Sequence, residues 1–148
     1  IDTTKLTPVQ LKEKICGIVN IGEGEGMLVT CMSFGFKYGI PGDADLVFDV
    51  RCFPNPFYVD ELRDKTGNDK EIQDFVMQYP EATEFIDKLE DMVKFLIPQY
   101  ISEGKNQLVI SVGCTGGKHR SVVFAEIINK AIKDKGFKVS VSHRDISR

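Results

Sequence analysis

A glycine-rich segment lies between a strand-like run and a helix-like run, and this order constrains the fold more than any other feature of the chain. The segment runs from Gly113 to Ser121 and reads Gly-Cys-Thr-Gly-Gly-Lys-His-Arg-Ser. The residues before it, 108–112, are mostly apolar and β-branched, and residues 120–135 have helical spacing. A loop in this position directs several backbone N–H groups and the positive end of the helix dipole at one point. It therefore predicts an anion site, with phosphate as the leading candidate.

Side chains of the same segment add positive charge to the predicted anion site. Lys118 and Arg120 are cationic, and His119 can donate a hydrogen bond to phosphate in either protonation state. A structural role for His119 is the alternative. Residues 104–148 carry 9 Lys+Arg against 3 Asp+Glu, whereas residues 1–103 carry 10 against 19. This basic C-terminal third could attract phosphate, a phosphosugar or a nucleic-acid backbone.

Strand-like and helix-like segments alternate along the chain, which predicts an α/β fold with a mostly parallel sheet flanked by helices. The predicted strands are residues 27–32, 46–51, 108–112 and 137–141, and the predicted helices are residues 7–20, 68–76, 81–102 and 120–135. Ligands gather at the carboxyl ends of the strands in such sheets. We therefore expect the loops after the first three strands to meet at one place. Residues 52–67 form a long loop with two prolines, and loops of that length are usually functional.

Composition favours a soluble cytoplasmic domain without a bound metal. Of the 148 residues, 42% are hydrophobic and 28% are charged, as in ordinary globular proteins. We see neither a run long enough to span a membrane nor a signal peptide. The four cysteines lack a C-x-x-C pair, so the sequence predicts no zinc site and reduced thiols.

The glycine-rich segment does not fit a Walker A loop. That motif needs glycine five residues before its Gly-Lys pair and serine or threonine after it, but this chain has Val112 and His119 there.

The segment does fit the C-x5-R-[ST] signature of cysteine phosphatases, through Cys114, Arg120 and Ser121. A thiol at a helix N-terminus beside arginine is suited to nucleophilic attack, and arginine can grip phosphate oxygens bidentately. Asp49 could serve as the general acid. However, Gly113 stands where such phosphatases usually have histidine. Anion binding without chemistry is therefore the leading hypothesis, and a cysteine-dependent phosphatase is the alternative.

RNA binding is a third hypothesis, because the basic C-terminal third could neutralise backbone phosphates. The candidate residues are Lys118, Arg120, Lys130, Lys133, Arg144 and Arg148. No RNP or KH signature accompanies them, and the net charge of the whole chain is −3.

Four segments in their order and spacing resemble the C-terminal domain of the RapZ/YvcJ family of bacterial nucleotide-binding proteins. They are residues 33–41, the Asp-x-x-Phe-Asp-Val-Arg run at 45–51, Pro-Asn-Pro at 54–56 and the glycine-rich segment at 113–121. The resemblance spans nearly the whole chain. The sequence resembles the Gram-positive YvcJ branch more closely than the enteric members. Phe57 and Tyr58 stand where enteric members carry His-Trp. Phe57 thereby replaces a polar ring that could contact a sugar.

The resemblance implies a domain organisation and a fold. Family members have an N-terminal P-loop domain that binds and hydrolyses ATP or GTP, and this chain does not include that domain. Residues 1–6 would be the end of the interdomain connection, and residues 7–148 one α/β sensor or RNA-binding domain. The fold would be similar to a phosphofructokinase subdomain. We also expect a homo-oligomer.

The resemblance also implies ligands and partners. Enteric members bind small regulatory RNA, sense glucosamine-6-phosphate and direct an endoribonuclease to the RNA. The corresponding phosphosugar site would be formed by Asn55, Thr115, Gly116, Gly117, Lys118, His119, Arg120 and Ser121. Under this interpretation the domain senses a phosphorylated metabolite and has no catalytic residue of its own.

Overall fold

The computed structural model describes residues 27–148, which form a four-stranded sheet in which every pairing is parallel. The strands are β1 (Leu28–Gly35), β2 (Leu46–Asp49), β3 (Gln107–Cys114) and β4 (Lys138–His143), in the order β2-β3-β1-β4. Gly35 of β1 pairs with Cys114 of β3, and Asp49 of β2 pairs with Gly113. The carboxyl ends of these three strands therefore lie side by side. The predicted α/β fold with a parallel sheet is confirmed.

Residues 27–148 contain three α-helices. They are α1 (Lys70–Met77), α2 (Pro80–Ser102) and α3 (Arg120–Asp134). Helix α3 contacts β1, β3 and β4, and both α1 and α2 contact α3. In the strand order, β3 lies to the same side of β2 as β4 lies of β3. Connections between parallel strands are right-handed, so the helices in these two connections lie on the same face of the sheet.

The core lies between this face of the sheet and the helices. Apolar residues at every second position of β1 and β3 point into it, among them Val29, Cys31, Leu108 and Ile110. A cluster of three aromatic rings, Phe53, Phe85 and Phe124, joins the loop after β2 to α2 and α3, with ring centroids 5.0–5.5 Å apart. This cluster anchors the long loop beside the carboxyl ends of the strands.

Several element boundaries differ from the prediction. Strand β1 continues three residues beyond the predicted end at residue 32, because residues 33–35 pair with residues 112–114 of β3. Strand β2 ends at Asp49, which leaves Arg51 in the following turn. The end of helix α2 does agree with the prediction, because the helix runs through Pro98 to Ser102 although proline removes one of its hydrogen bonds.

Two predictions fall on residues 1–26, outside the part of the chain that the structure describes: the connection at 1–6 and the helix at 7–20. Within residues 27–148, no helix is both long enough and apolar enough to cross a membrane.

Candidate anion-binding site

The loop between β3 and α3 lies directly on the end of β1. A Cβ atom added to Gly117 would lie 2.6 Å from the Gly35 nitrogen, and one added to Gly35 would lie 2.5 Å from the Gly116 carbonyl carbon. Gly117 has a φ of +79°, a conformation that glycine adopts without steric cost. Because neither Gly35 nor Gly117 has a side chain, the backbone of the loop can lie in direct contact with the backbone at the end of β1.

Arg120, the first residue of α3, connects this loop to the turn after β2. Its Nη1 donates to the carbonyl oxygens of Arg51 and Phe53 at 2.9 and 2.8 Å, and its Nη2 donates to the Thr115 hydroxyl at 3.4 Å. The residue is 4% exposed, and Nε has no hydrogen-bond partner within residues 27–148. The guanidinium is thus held rigidly, and because its acceptors among the described residues are all uncharged, its positive charge is available to an anion in the cavity.

His119 precedes α3 and is 7% exposed. Its Nε2 also has no hydrogen-bond partner among the described residues. Burial lowers the pKa of His119, and the positive charges of Arg120 and Lys118 lower it further, while the carbonyl groups of Arg63 and Lys65 partly offset these effects. The imidazole is therefore held toward its neutral form, in which one ring nitrogen can donate to an anion.

Cys114 and Ser121 stabilise the turn from within. The Cys114 sulfur lies 3.1 Å from the Ser121 hydroxyl and accepts a hydrogen bond from the Gly117 N–H at 3.3 Å. Cys114 and Ser121 are both buried. The thiol is therefore engaged in the internal bonding of the loop.

Asn55 shapes the opposite side of the site. Its side-chain oxygen accepts a hydrogen bond from the Phe57 N–H at 3.1 Å and begins a short 3₁₀ turn over residues 56–58. Phe57 and Tyr58 are 48% and 79% exposed, and their rings pack edge to face with centroids 5.8 Å apart. The turn thus presents two accessible aromatic rings toward the glycine-rich loop.

These elements enclose a cavity of about 350 Å³. Its described walls are formed by Lys37, Tyr38, Asn55, Phe57, Tyr58, Cys114, Thr115, Gly116, Lys118, His119, Arg120 and Arg148. Four of these side chains are cationic, and none of those within residues 27–148 is a carboxylate. The cavity therefore has the charge expected of a site for an anionic ligand.

Six of the eight predicted phosphosugar residues line this cavity. Gly117 and Ser121 support the loop from behind instead. Lys37, Tyr38 and Tyr58 were not predicted for this site, and Arg148 was predicted to bind RNA. The expectation that loops after parallel strands converge was the one signal that could have pointed to Lys37 and Tyr38.

Asp49, the general acid of the phosphatase alternative, is paired elsewhere. Its carboxylate accepts hydrogen bonds from Nε and Nη2 of Arg51 at 2.7–3.0 Å, and it does not line the cavity. These hydrogen bonds lower the pKa of Asp49. A general acid must carry a proton before it reacts, so this environment favours the wrong protonation state.

The candidate RNA-binding residues lie in separate places. Lys130 and Lys133 share a surface groove with the acidic residues Asp74 and Glu126. Lys133 lies about 20 Å along α3 from its first residue, as expected from a rise of 1.5 Å per residue. Arg144 bonds to the Asp145 carboxylate and the Gly39 carbonyl, and Arg148 lines the cavity. Within residues 27–148 these basic groups therefore do not form one continuous patch.

The lowered pKa of His119 leads to a prediction about acid stability. The unfolded chain binds a proton at the ordinary histidine pKa of 6.5, whereas the folded protein resists protonation, so stability should fall as the pH drops below 6.5. Urea unfolding at a series of pH values should show this slope, and His119→Gln should flatten it. An equal slope in both proteins would contradict the prediction.

Comparisons with known proteins identify the family to which the chain is related. A family model described as the RapZ C-terminal domain matches residues 27–147. A nucleotide-binding protein of Agathobacter rectalis is 61% identical over 154 aligned positions, covering 100% of this chain and 52% of that protein. One of Caldicellulosiruptor bescii is 58% identical over 149 positions, covering 100% and 51%.

The chain thus spans about half the length of the curated relatives that it matches. The family model covers most of the chain, including every described residue that lines the cavity except Arg148. The chain therefore belongs to the RapZ C-terminal domain family of nucleotide-binding proteins.

Proposed function

We propose that this domain is a sensor that binds a phosphorylated small metabolite in the cavity above the carboxyl ends of the strands. The observation that carries the proposal is the guanidinium of Arg120. It is buried and held by two backbone carbonyl groups, and its hydrogen-bond acceptors within residues 27–148 are all uncharged. A phosphate oxygen in the cavity would supply the missing negative charge.

The surroundings of Arg120 support an anion over a neutral ligand. The cavity lies at the N-terminal end of α3, where the helix dipole and free backbone N–H groups favour negative charge. Lys118 contributes a second positive charge from the same loop, and Thr115 contributes a hydroxyl. Within residues 27–148, no pair of a general acid and a general base accompanies these donors, which favours recognition over catalysis.

The size and rim of the cavity support a sugar phosphate. A volume of about 350 Å³ is within the range of small-molecule sites. The accessible rings of Phe57 and Tyr58 offer flat apolar surface to the carbon skeleton of a sugar. Asn55 uses its carbonyl oxygen within the 3₁₀ turn, and its amide nitrogen remains a donor for a hydroxyl group. An amino-sugar phosphate, as the family resemblance implies, belongs to this class.

In the longer family proteins, we propose that occupancy of this cavity controls nucleotide binding or hydrolysis by the other half of the chain. Contacts with a regulatory RNA and an endoribonuclease are part of the same proposal. Because the basic residues of this domain are dispersed, an RNA contact would draw on a second copy or on the other half of the protein. Comparing ATP hydrolysis by a full-length relative with and without the sugar phosphate would test this control.

Calorimetry on the 148-residue chain tests the binding itself. Inorganic phosphate, glucose-6-phosphate and glucosamine-6-phosphate should each bind with one-to-one stoichiometry, and the sugar phosphates should bind more tightly than phosphate because they also contact the aromatic rim. Lys133→Gln, which removes a charge outside the cavity, should leave these affinities unchanged. If none of the three compounds binds, the sensor proposal fails.

The phosphatase alternative is tested by replacing the thiol. Because Cys114 bonds only within the loop among the described residues, Cys114→Ser should retain phosphate binding within about twofold. The wild-type chain should not hydrolyse p-nitrophenyl phosphate. Cys52→Ser is the matched control, since Cys52 is exposed and does not line the cavity. Hydrolysis that is lost in Cys114→Ser and kept in Cys52→Ser would establish the phosphatase instead.

A further inference from the structure

Arg148 forms a wall of the cavity that belongs to a different part of the sheet from the glycine-rich loop. Its Nε forms an ion pair with the Asp145 carboxylate at 2.8 Å, and its guanidinium carbon lies 4.7 Å from the centre of the Tyr38 ring. Both contacts orient the side chain, and among the described residues only Nε is engaged by a carboxylate. The two terminal amino groups of Arg148 are therefore available to a ligand.

The carboxylate that orients Arg148 is itself firmly held. Asp145 is fully buried and accepts hydrogen bonds from the Gly35 N–H at 2.8 Å and from Arg144 at 2.8–3.2 Å. Burial alone would raise the pKa of Asp145, but the hydrogen bonds from Arg144 and Gly35 bring it below its usual value. Asp145 therefore remains ionised, and it links the position of Arg148 to the end of β1.

Lys37 adds a second positive charge to the same wall. Its ammonium group lies 5.2 Å from the centre of the Tyr38 ring, so Lys37 and Arg148 both sit against one aromatic side chain. Such cation–π contacts hold a cation in place while leaving hydrogen-bond donors free. We refer to Lys37, Tyr38 and Arg148 as the Tyr38 wall.

The Tyr38 wall is separated from Arg120 across the sheet. Arg120 is anchored to the carbonyl groups of Arg51 and Phe53, which follow β2, whereas Arg148 follows β4. β2 and β4 are the two edge strands, with β3 and β1 between them. Neighbouring strands lie about 4.8 Å apart, so the anchor points of Arg120 and Arg148 lie on opposite sides of the strand ends. Lys37, whose backbone N–H donates to the Thr115 carbonyl oxygen at 3.2 Å, follows β1 between them.

We propose that the ligand of this cavity carries a second anionic group, separated from the first by a sugar-sized spacer. The first group binds at the glycine-rich loop and Arg120, and the second binds at the Tyr38 wall. The compound class is a sugar bisphosphate or an equivalent small molecule with two anions at opposite ends. This inference rests on the proposed function, because it adds a second anionic group to the ligand that is proposed for the same cavity.

The test compares glucose-1,6-bisphosphate with glucose-6-phosphate by calorimetry on the 148-residue chain. The bisphosphate should bind about tenfold more tightly, as expected for one added charge-assisted contact. Arg148→Gln should remove most of this advantage while weakening glucose-6-phosphate binding by a clearly smaller factor, and Lys37→Gln should reduce the advantage. Lys133→Gln, which also removes one charge, should keep the full advantage. Thermal unfolding establishes that each variant is folded.

Each outcome separates this inference from the proposed function. Equal affinities for the two glucose phosphates would overturn the second anion site and leave the sensor proposal standing. Pyrophosphate carries two adjacent anionic groups. If pyrophosphate binds more tightly than phosphate but the bisphosphate binds no more tightly than glucose-6-phosphate, the opposite placement of the two sites is wrong. A bisphosphate advantage that survives in both Arg148→Gln and Lys37→Gln would overturn the assignment to the Tyr38 wall. If no phosphate compound binds, both proposals fail.

Discussion

Replacing Arg120 with alanine should abolish binding of phosphate compounds and also destabilise the protein. The arginine donates to the carbonyl groups of Arg51 and Phe53 and to the Thr115 hydroxyl, so its loss leaves buried acceptors unpaired. Unsatisfied buried groups of this kind cost about 3 kcal/mol in the free energy of unfolding. The anion loses its best-placed donor in the same step, and we expect an affinity loss of at least about 100-fold.

Two further variants separate these effects. Arg120→Lys keeps the positive charge but cannot reach two carbonyl groups and an anion together, so it should fold and still bind much more weakly than the wild type. Lys133→Ala removes a cation from the far end of α3 and should affect neither property. Urea unfolding and calorimetry measure the two quantities independently. Normal binding by a folded Arg120→Lys protein would show that the anion does not contact this side chain.

Local sequence signals account for most of the predicted residues that line the cavity. The strand, the glycine-rich loop and helix α3 are contiguous, so their apolar spacing and glycines reveal them without knowledge of the rest of the fold. The alternation of strand-like and helix-like segments predicts a parallel sheet. In such a sheet the loops after the strands meet at one edge, so the position of the cavity could also be predicted. Five of the residues that line the cavity belong to this contiguous segment, namely Thr115, Gly116, Lys118, His119 and Arg120, whereas Asn55 was predicted through the family resemblance.

Contacts between distant parts of the chain account for the rest. Residues 33–35 read as a loop, but pairing with β3 makes them strand. Arg148 reads as part of a basic tail, but the bond from the Gly35 N–H to Asp145, 110 residues apart, brings the end of the chain to the cavity. Tyr38 acquires its role only because Lys37 and Arg148 pack on it. None of these contacts has a signature in the local sequence.

The two neighbouring glycines of the loop should respond to alanine in opposite ways. A Cβ on Gly117 would lie 2.6–2.9 Å from the Gly35 nitrogen, the Phe34 carbonyl carbon and the Asp145 side chain, and the φ of +79° adds strain. Because two of these neighbours are backbone atoms, relief requires the loop and β1 to separate. Gly117→Ala should therefore lower the free energy of unfolding by about 3 kcal/mol, measured by urea titration.

Gly116→Ala should leave stability intact and weaken binding instead. A Cβ at Gly116 meets no atom within 4 Å, and its φ is not in the left-handed region, so the folded state accommodates the methyl group. Gly116 nevertheless lines the cavity, where the methyl group would occupy space next to the backbone N–H groups that an anion approaches. Gly42→Ala is the matched control, because Gly42 is equally unobstructed and lies outside the cavity. Unchanged phosphate affinity in Gly116→Ala would place the anion away from the loop, whereas a selective loss would locate it there without disturbing the fold.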